Sequence, residues 1–238
     1  MHARLNWRAV QPRKSWRRAR PTATMFRSRF RHRRSACYVG CLAAMAESTT
    51  AVDIARRLAD TLENEEIPYA IGGALALAYY APPRATVDVD INIFVPPRDG
   101  LQPLLTVLAE VGFTADSPET LTRTAVEDGQ FRGRIAGIRV DVFLPAIAFY
   151  AEMASRTRRV PLLDRPIEIL APQDLLTLKM MFFRRKDLAD VEAVLRDPPS
   201  GLDVDSVRTR IIDMVGADDE RVREWDAIIR DVRGTRDQ

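Results

Sequence analysis

The sequence predicts an α+β protein: a mixed sheet with flanking helices over residues 45–145, followed by a mainly helical region over 146–238. Three observations carry this. Runs of β-branched and apolar residues, above all "TVDVDINIFV" (86–95) and "IRVDVFLP" (138–145), read as strands and alternate with helical patterns in the first half. From "AIAFYAEMASR" (146–156) onward, apolar residues recur at helical spacing. With 238 residues, the chain can bury most of its apolar surface without a staple.

The elements follow in order. Val52, Ile54, Ala55, Leu58 and Leu62 share a helical face, with Ser48 to Thr50 as caps. "IPYAI" reads as a short strand ending at Gly72-Gly73, and "ALALAYYA" as a short helix stopped by Pro82-Pro83. The strand 86–95 follows, then the helix "LQPLLTVLAEV" closed by Gly112, and a short strand at "FTAD". "GQFRGRIAG" and "IRVDVFLP" form a hairpin through Gly137. After the helix at 146–156, two short strands in "RRVPLLDRPIEIL" turn at Asp164-Arg165 and Pro166. Pro172 opens the helix "QDLLTLKMMFFRR", and "DLADVEAVLRD" continues almost without a gap until "DPPSG". Two amphipathic helices, "VDSVRTRIIDMVG" and "DERVREWDAIIRDV", end the chain.

Charge divides the chain in two. Residues 1–44 hold 12 Lys and Arg and no acid, leaving 24 basic and 33 acidic residues, a balance of −9, in 45–238. The tail has no sustained apolar period and repels itself, which reads as disordered. It is compatible with a nucleic-acid-binding arm, with an import presequence, or with a start at Met45 that leaves 1–44 untranslated. Both cysteines and both histidines lie in 1–44, so the body has neither a disulfide framework nor a Cys/His zinc site. Any metal there takes oxygen ligands. No run of 18 apolar residues occurs, so no membrane span is expected and the protein is placed in the cytoplasm. Only three of the 36 basic residues are lysines, and two of them, Lys179 and Lys186, stand seven positions apart in the body.

The strand 86–95 carries the chemistry. Residues two apart on a strand share a face, so Asp88 and Asp90 present carboxylates about 7 Å apart. An amphipathic strand with acidic outer positions is the plain reading. Against it, the same face continues to Asn92, and Gly72-Gly73 precede it at the mouth of a helix, where backbone N–H groups suit a polyphosphate. Asp141, isolated in an apolar strand, is costly to bury unless paired or coordinated. Paired carboxylates suit Mg²⁺, which takes one or two of them and fills its octahedron with water and substrate phosphates.

"IGGALALAYYAPPRATVDVDINIFV" resembles the signature of the nucleotidyltransferase superfamily with the DNA polymerase β-like fold: a Gly pair, a short helix, Asp-x-Asp on a strand, and a third Asp on a later strand. The nearest resemblance is to the AbiEii-type branch, which includes toxins of bacterial toxin-antitoxin systems. Its downstream pattern of Lys, Arg and Lys/Gln-Asp-x-x-Asp is met by "LKMMFFRRKDLADVEAVL", with Lys179, Arg184, Arg185, Lys186, Asp187 and Asp190. The resemblance covers roughly residues 50–200; the Asp-x-Asp core specifies reaction type more than substrate, and the Pro82-Pro83 insertion and the distance from Asp90 to Asp141 depart from the pattern.

The resemblance implies metal ligation by Asp88, Asp90 and Asp141, with two Mg²⁺ ions, or Mn²⁺ in their place. It implies a phosphate cradle at Gly72 and Gly73, a nucleotide contact from Lys179, and a catalytic-site place for Lys179 and Asp190. Lys186 is a further candidate for the nucleotide, Arg84 for the triphosphate or the acceptor, and Arg184 for nucleotide or RNA phosphate, with a solvent-facing role as its plain reading. The reaction it implies is NMP transfer from an NTP to a hydroxyl. The implied acceptor is the tRNA 3′ end and the implied partner an antitoxin; small-molecule (aminoglycoside-type) and protein acceptors are alternatives. A non-catalytic nucleotide- or partner-binding module is the reading of another class, which retention of both strand aspartates opposes. From the residues alone, Lys179 also reads as a snorkelling surface lysine and Asp187 as a helix N-cap, and the pairs Tyr79-Tyr80 and Phe182-Phe183 as core.

Overall fold

The computed structural model describes residues 49–236; the expectations for 1–44 and Met45 lie outside them. Thr50 caps α1 (Ala51–Asn64), accepting from the Asp53 N–H while the Asp53 carboxylate accepts from the Thr50 N–H, and Ile54, Ala55, Leu58 and Leu62 are buried as their spacing requires. β1 (Tyr69–Ile71) leads directly into α2 (Gly73–Leu77), which ends five residues before Pro82. β2 (Asp88–Ile93), α3 (Leu101–Glu110) and β3 (Thr114–Ala115) stand where their patterns put them. The next helix, α4 (Pro118–Glu127), has no counterpart in the sequence reading: it buries only Leu121 and Ala125, too little for a visible apolar stripe.

β4 (Gln130–Ile135) and β5 (Ile138–Phe143) form the expected hairpin, closed by Ala136 and Gly137 with φ of +49° and +82°. Both central residues at positive φ match the twist of the flanking strands. After α5 (Ala148–Ala154) come β6 (Arg158–Leu162) and β7 (Arg165–Ile169). Their turn falls one residue earlier than expected, at Leu163-Asp164, because Leu163 adopts φ +55°, and Pro166 lies inside β7 opposite Pro161 of the edge strand β6.

The seven strands make one sheet in the order β3-β4-β5-β2-β1-β7-β6. β2 runs parallel to β5, and β1 parallel to β7; the other pairings are antiparallel, so the sheet is mixed as expected. The sheet crosses the boundary placed at residue 145, since β6 and β7 belong to the helical half. That half otherwise supplies α6 (Pro172–Phe182), α7 (Arg185–Arg196), α8 (Val204–Val215) and α9 (Glu220–Arg236). On β2 the fully buried Val89 and Ile91 occupy one face, which leaves Asp88, Asp90 and Asn92 for the other. Among the described residues no helix is long and apolar enough to cross a membrane.

Candidate active site

Strand register assembles the carboxylates. In the parallel β2–β5 ladder Asp90 stands opposite Asp141 and Asp88 opposite Arg139; in the β4–β5 hairpin Arg132 stands opposite Asp141 and Arg134 opposite Arg139. Paired positions share a face, so three aspartates and three arginines lie on one side of the sheet.

Asp90 is the centre of this face. Its carboxylate sits deep among protein atoms yet keeps part of its surface open, and its pKa is pushed up to about 6, by burial first and by the neighbouring Asp141 charge second. Lys179, Lys186 and Arg184 pull in the opposite direction. Gly73 makes the position possible: a Cβ there would lie 1.8 Å from Asp90 Oδ2, and the residue holds φ +55°. The Gly72 N–H donates to the Asp90 carbonyl at 2.8 Å, and a Cβ on Gly72 would stand 3.0 Å from Asn92 Nδ2. The glycine pair therefore serves close approach of the strand carboxylate to the start of α2.

Asp88 accepts from Thr86 Oγ1 at 2.6 Å and from Arg139. Asp141, buried, accepts from Arg132, and Arg139 Nε lies 3.4 Å from its Oδ2. Sequence reasoning missed Arg132 and Arg139. The signal was there: a two-residue turn at Ala136-Gly137 fixes Ile135 opposite Ile138, and counting outward puts Arg132 beside Asp141.

The second cluster gathers at α6–α7. Phe183, at φ +53°, ends α6 and lets α7 start two residues later. This elbow brings Lys179, 4% exposed, to Asp190 with Nζ 2.6 Å from Oδ2; Asp187 is 4.0 Å away. Arg84, from the segment before β2, grips both Asp190 oxygens at 3.1 Å. Burial pushes the Asp190 carboxyl up, but the hydrogen bonds from Arg84 and Lys179 outweigh it and hold it below the usual carboxylate range. Lys179 is thus a buried, paired lysine, not a snorkelling one. Asp187 is not the N-cap of α7 but its third residue, accepting from the Arg184 backbone N–H at 3.2 Å and its guanidinium at 2.5 Å. Lys186 is exposed and makes no side-chain hydrogen bond or ion pair among the described residues. Arg184 lies over the Phe182 ring at 5.0 Å, and Phe182 is 6.0 Å from Phe143 of β5. Tyr80 is core, its hydroxyl donating to the Leu170 carbonyl.

The two clusters share one electrostatic environment, because Lys179, Lys186 and Arg184 act on Asp90, and Asp90 and Asp141 act back on Arg184. The donor set of Asp88, Asp90 and Asp141 is all oxygen, and the Asp90–Asp141 repulsion is of the kind that a hard divalent cation relieves. With guanidinium groups holding Asp88 and Asp141, no three ligating side chains converge as a metal-binding group among the described residues. The pair Asp90–Asp141 fits a cation once Arg132 releases Asp141, and Asp88 joins only if Arg139 releases it.

No protein-family model matches the chain, and no curated protein matches its sequence. Among solved structures, the chain is similar to the antibiotic-resistance factor ANT(2'')-Ia, at 15% identity over 78% of this chain and 94% of that one, with a TM-score of 0.44. It is similar to an antigenic nucleotidyltransferase-like protein from Paracoccidioides brasiliensis, at 18% identity over 76% and 94% of the two chains, with a TM-score of 0.47. A tRNA nucleotidyltransferase complexed with a primer tRNA and an incoming ATP analog matches at 12% identity over 74% of this chain and 60% of that one, with a TM-score of 0.28.

Proposed function

We propose that this chain is a metal-dependent nucleotidyltransferase that moves an NMP from an NTP to a hydroxyl acceptor. The observation that carries the reading is the apposition of Asp90 and Asp141 across the β2–β5 ladder, with Gly73 against Asp90 and the cations of α6–α7 acting on the same carboxylate. Asp90, with Asp141 and Asp88 once their arginines release them, would hold a divalent cation, and that cation would supply charge neutralisation at the transferred phosphate. With the Gly72 N–H committed to the Asp90 carbonyl, Gly73 offers a backbone N–H, and Lys179, Lys186, Arg184 and Arg84 offer positive charge, to the triphosphate. Asp141 orients the attacking hydroxyl and takes its proton. The new bond joins the acceptor oxygen to the α-phosphorus, and the bond to the β-phosphate oxygen breaks with pyrophosphate leaving.

For the acceptor, the AbiEii-type resemblance supports the 3′ end of tRNA, a modification that blocks charging and fits a toxin restrained by a cognate antitoxin. The test is incubation of the full chain with each α-labelled NTP, Mg²⁺ and total tRNA. Label on tRNA that is lost in Asp90→Ala is the expected result. Label on a small molecule or on protein would move the acceptor and keep the reaction; no transfer to any acceptor would leave a binding module and overturn the reading.

A further inference from the structure

On the side of the carboxylates away from Gly72-Gly73, the sheet face carries three arginines. In the strand order, β1 and its glycines adjoin β2 on one flank, whereas Arg139 on β5 and Arg132 and Arg134 on β4 stand on the other. All three arginine side chains reach solvent, with exposures of 40%, 46% and 57%. Each has an acidic neighbour: Asp88 and Asp141 for Arg139, Asp141 for Arg132, and Asp116 at 3.6 Å for Arg134.

Charge decides what this strip can meet. Three aspartates face Arg132 and Arg139 at the centre, and a divalent cation on those aspartates competes for the lone pairs that the guanidinium groups now use. Arginine cannot shed its charge, so each released guanidinium needs another anion. In the proposed reading the triphosphate lies at Gly73 and the basic residues of α6–α7; Gly73 stands on the β1 flank of Asp90, and α6 ends against Phe143, four residues along β5 from Arg139. That reading leaves the face at Arg132 and Arg139 to the acceptor. A polycationic acceptor would be repelled there, while a nucleic-acid strand brings phosphates whose oxygens match the guanidinium fork.

We propose, resting on the nucleotidyl-transfer reading above, that Arg132 and Arg139 are specificity-determining residues that exchange their carboxylate partners for a backbone phosphate of an RNA acceptor. A body of net charge −9 then binds RNA through local strips of arginine, since the near field at the contact outweighs the distant average.

The test uses the full-length protein, fluorescein-labelled total tRNA and anisotropy, with Mg²⁺ and a non-hydrolysable NTP analogue present. Arg139→Ala and Arg132→Ala should each weaken tRNA binding about tenfold and lower the log–log salt slope by about 1. Binding of a fluorescent NTP analogue should not change. Arg139→Lys, which keeps a cation beside Asp88, should fall between wild type and Arg139→Ala. Chelation of Mg²⁺ should reduce wild-type tRNA affinity to the level of the variants. Unchanged affinity and slope in the alanine variants, loss of NTP binding in step with tRNA binding in both Arg139→Ala and Arg139→Lys, indifference to Mg²⁺, or no tRNA binding by wild type would each overturn the assignment. If wild type binds tRNA through these arginines but transfers no nucleotide, the transfer reading fails and the arginine assignment stands.

Discussion

Replacing Gly73 by alanine separates the two roles a glycine can have at this position. Its φ of +55° imposes a backbone cost on any L side chain, about 1–2 kcal/mol. The added Cβ would also stand 1.8, 2.6 and 2.9 Å from Oδ2, Cγ and Cβ of Asp90. Asp90 stands on β2, a strand paired on both edges, so it cannot retreat without shifting a paired strand, and overpacking adds about 1–3 kcal/mol. Gly112 offers the control: φ is +80° and nothing lies within 4 Å of a built Cβ, so Gly112→Ala carries the backbone cost alone. Urea denaturation followed by circular dichroism should therefore place Gly73→Ala about 1–3 kcal/mol below Gly112→Ala. Adding Asp90→Ala to Gly73→Ala removes Oδ2 and Cγ, the two closest atoms, and leaves only the Cβ contact at 2.9 Å, so the double variant should be more stable than the sum of the single effects by most of that amount. An additive cycle, or a Gly73→Ala protein as stable as Gly112→Ala that still transfers nucleotide, would refute the close-approach argument.

Three further outcomes are expected. Because the Asp90 carboxyl is raised to about 6, its ionised form destabilises the fold, and its contribution to stability falls as pH rises from about 4 through 6; Asp90→Asn should match wild type near pH 4 and exceed it by up to about 3 kcal/mol above pH 7 in urea melts without metal, an advantage that Mg²⁺ narrows. Asp190→Ala leaves the buried Lys179 ammonium with Asp187 at 4.0 Å and frees Arg84, and should cost about 3–5 kcal/mol, whereas Lys179→Met with Asp190→Leu should recover most of that stability without recovering transfer; equal losses in both would contradict the pairing. Lys186→Ala removes an exposed cation, so steady-state kinetics should show KM for the NTP rising about tenfold with the thermal midpoint unchanged, and a fall in stability would instead place Lys186 in the scaffold.

The parts of this site that the sequence reveals are those set by short-range rules. Alternation on one strand puts Asp88, Asp90 and Asn92 on a common face, and a two-residue turn fixes the β4–β5 register, so Arg132 and Asp141 are neighbours on paper before they are neighbours in space. Pairing of β2 with β5 is different in kind. No local pattern states that Asp90 meets Asp141 across 51 positions; that contact exists because the buried faces of both strands, Val89 and Ile91 with Val140 and Val142, are apolar enough to hold a parallel pair inside the sheet. The Lys179–Asp190 pair likewise depends on a left-handed Phe183, a conformation that its residue type argues against, and α4 escaped notice because two buried side chains leave no stripe. The arginines are the instructive miss. Read singly, each is a surface cation of a strand. Placed by register, they neutralise carboxylates that would otherwise repel one another: Arg139 meets Asp88 and Arg132 meets Asp141. An amphipathic strand with solvated outer carboxylates would need no such compensation.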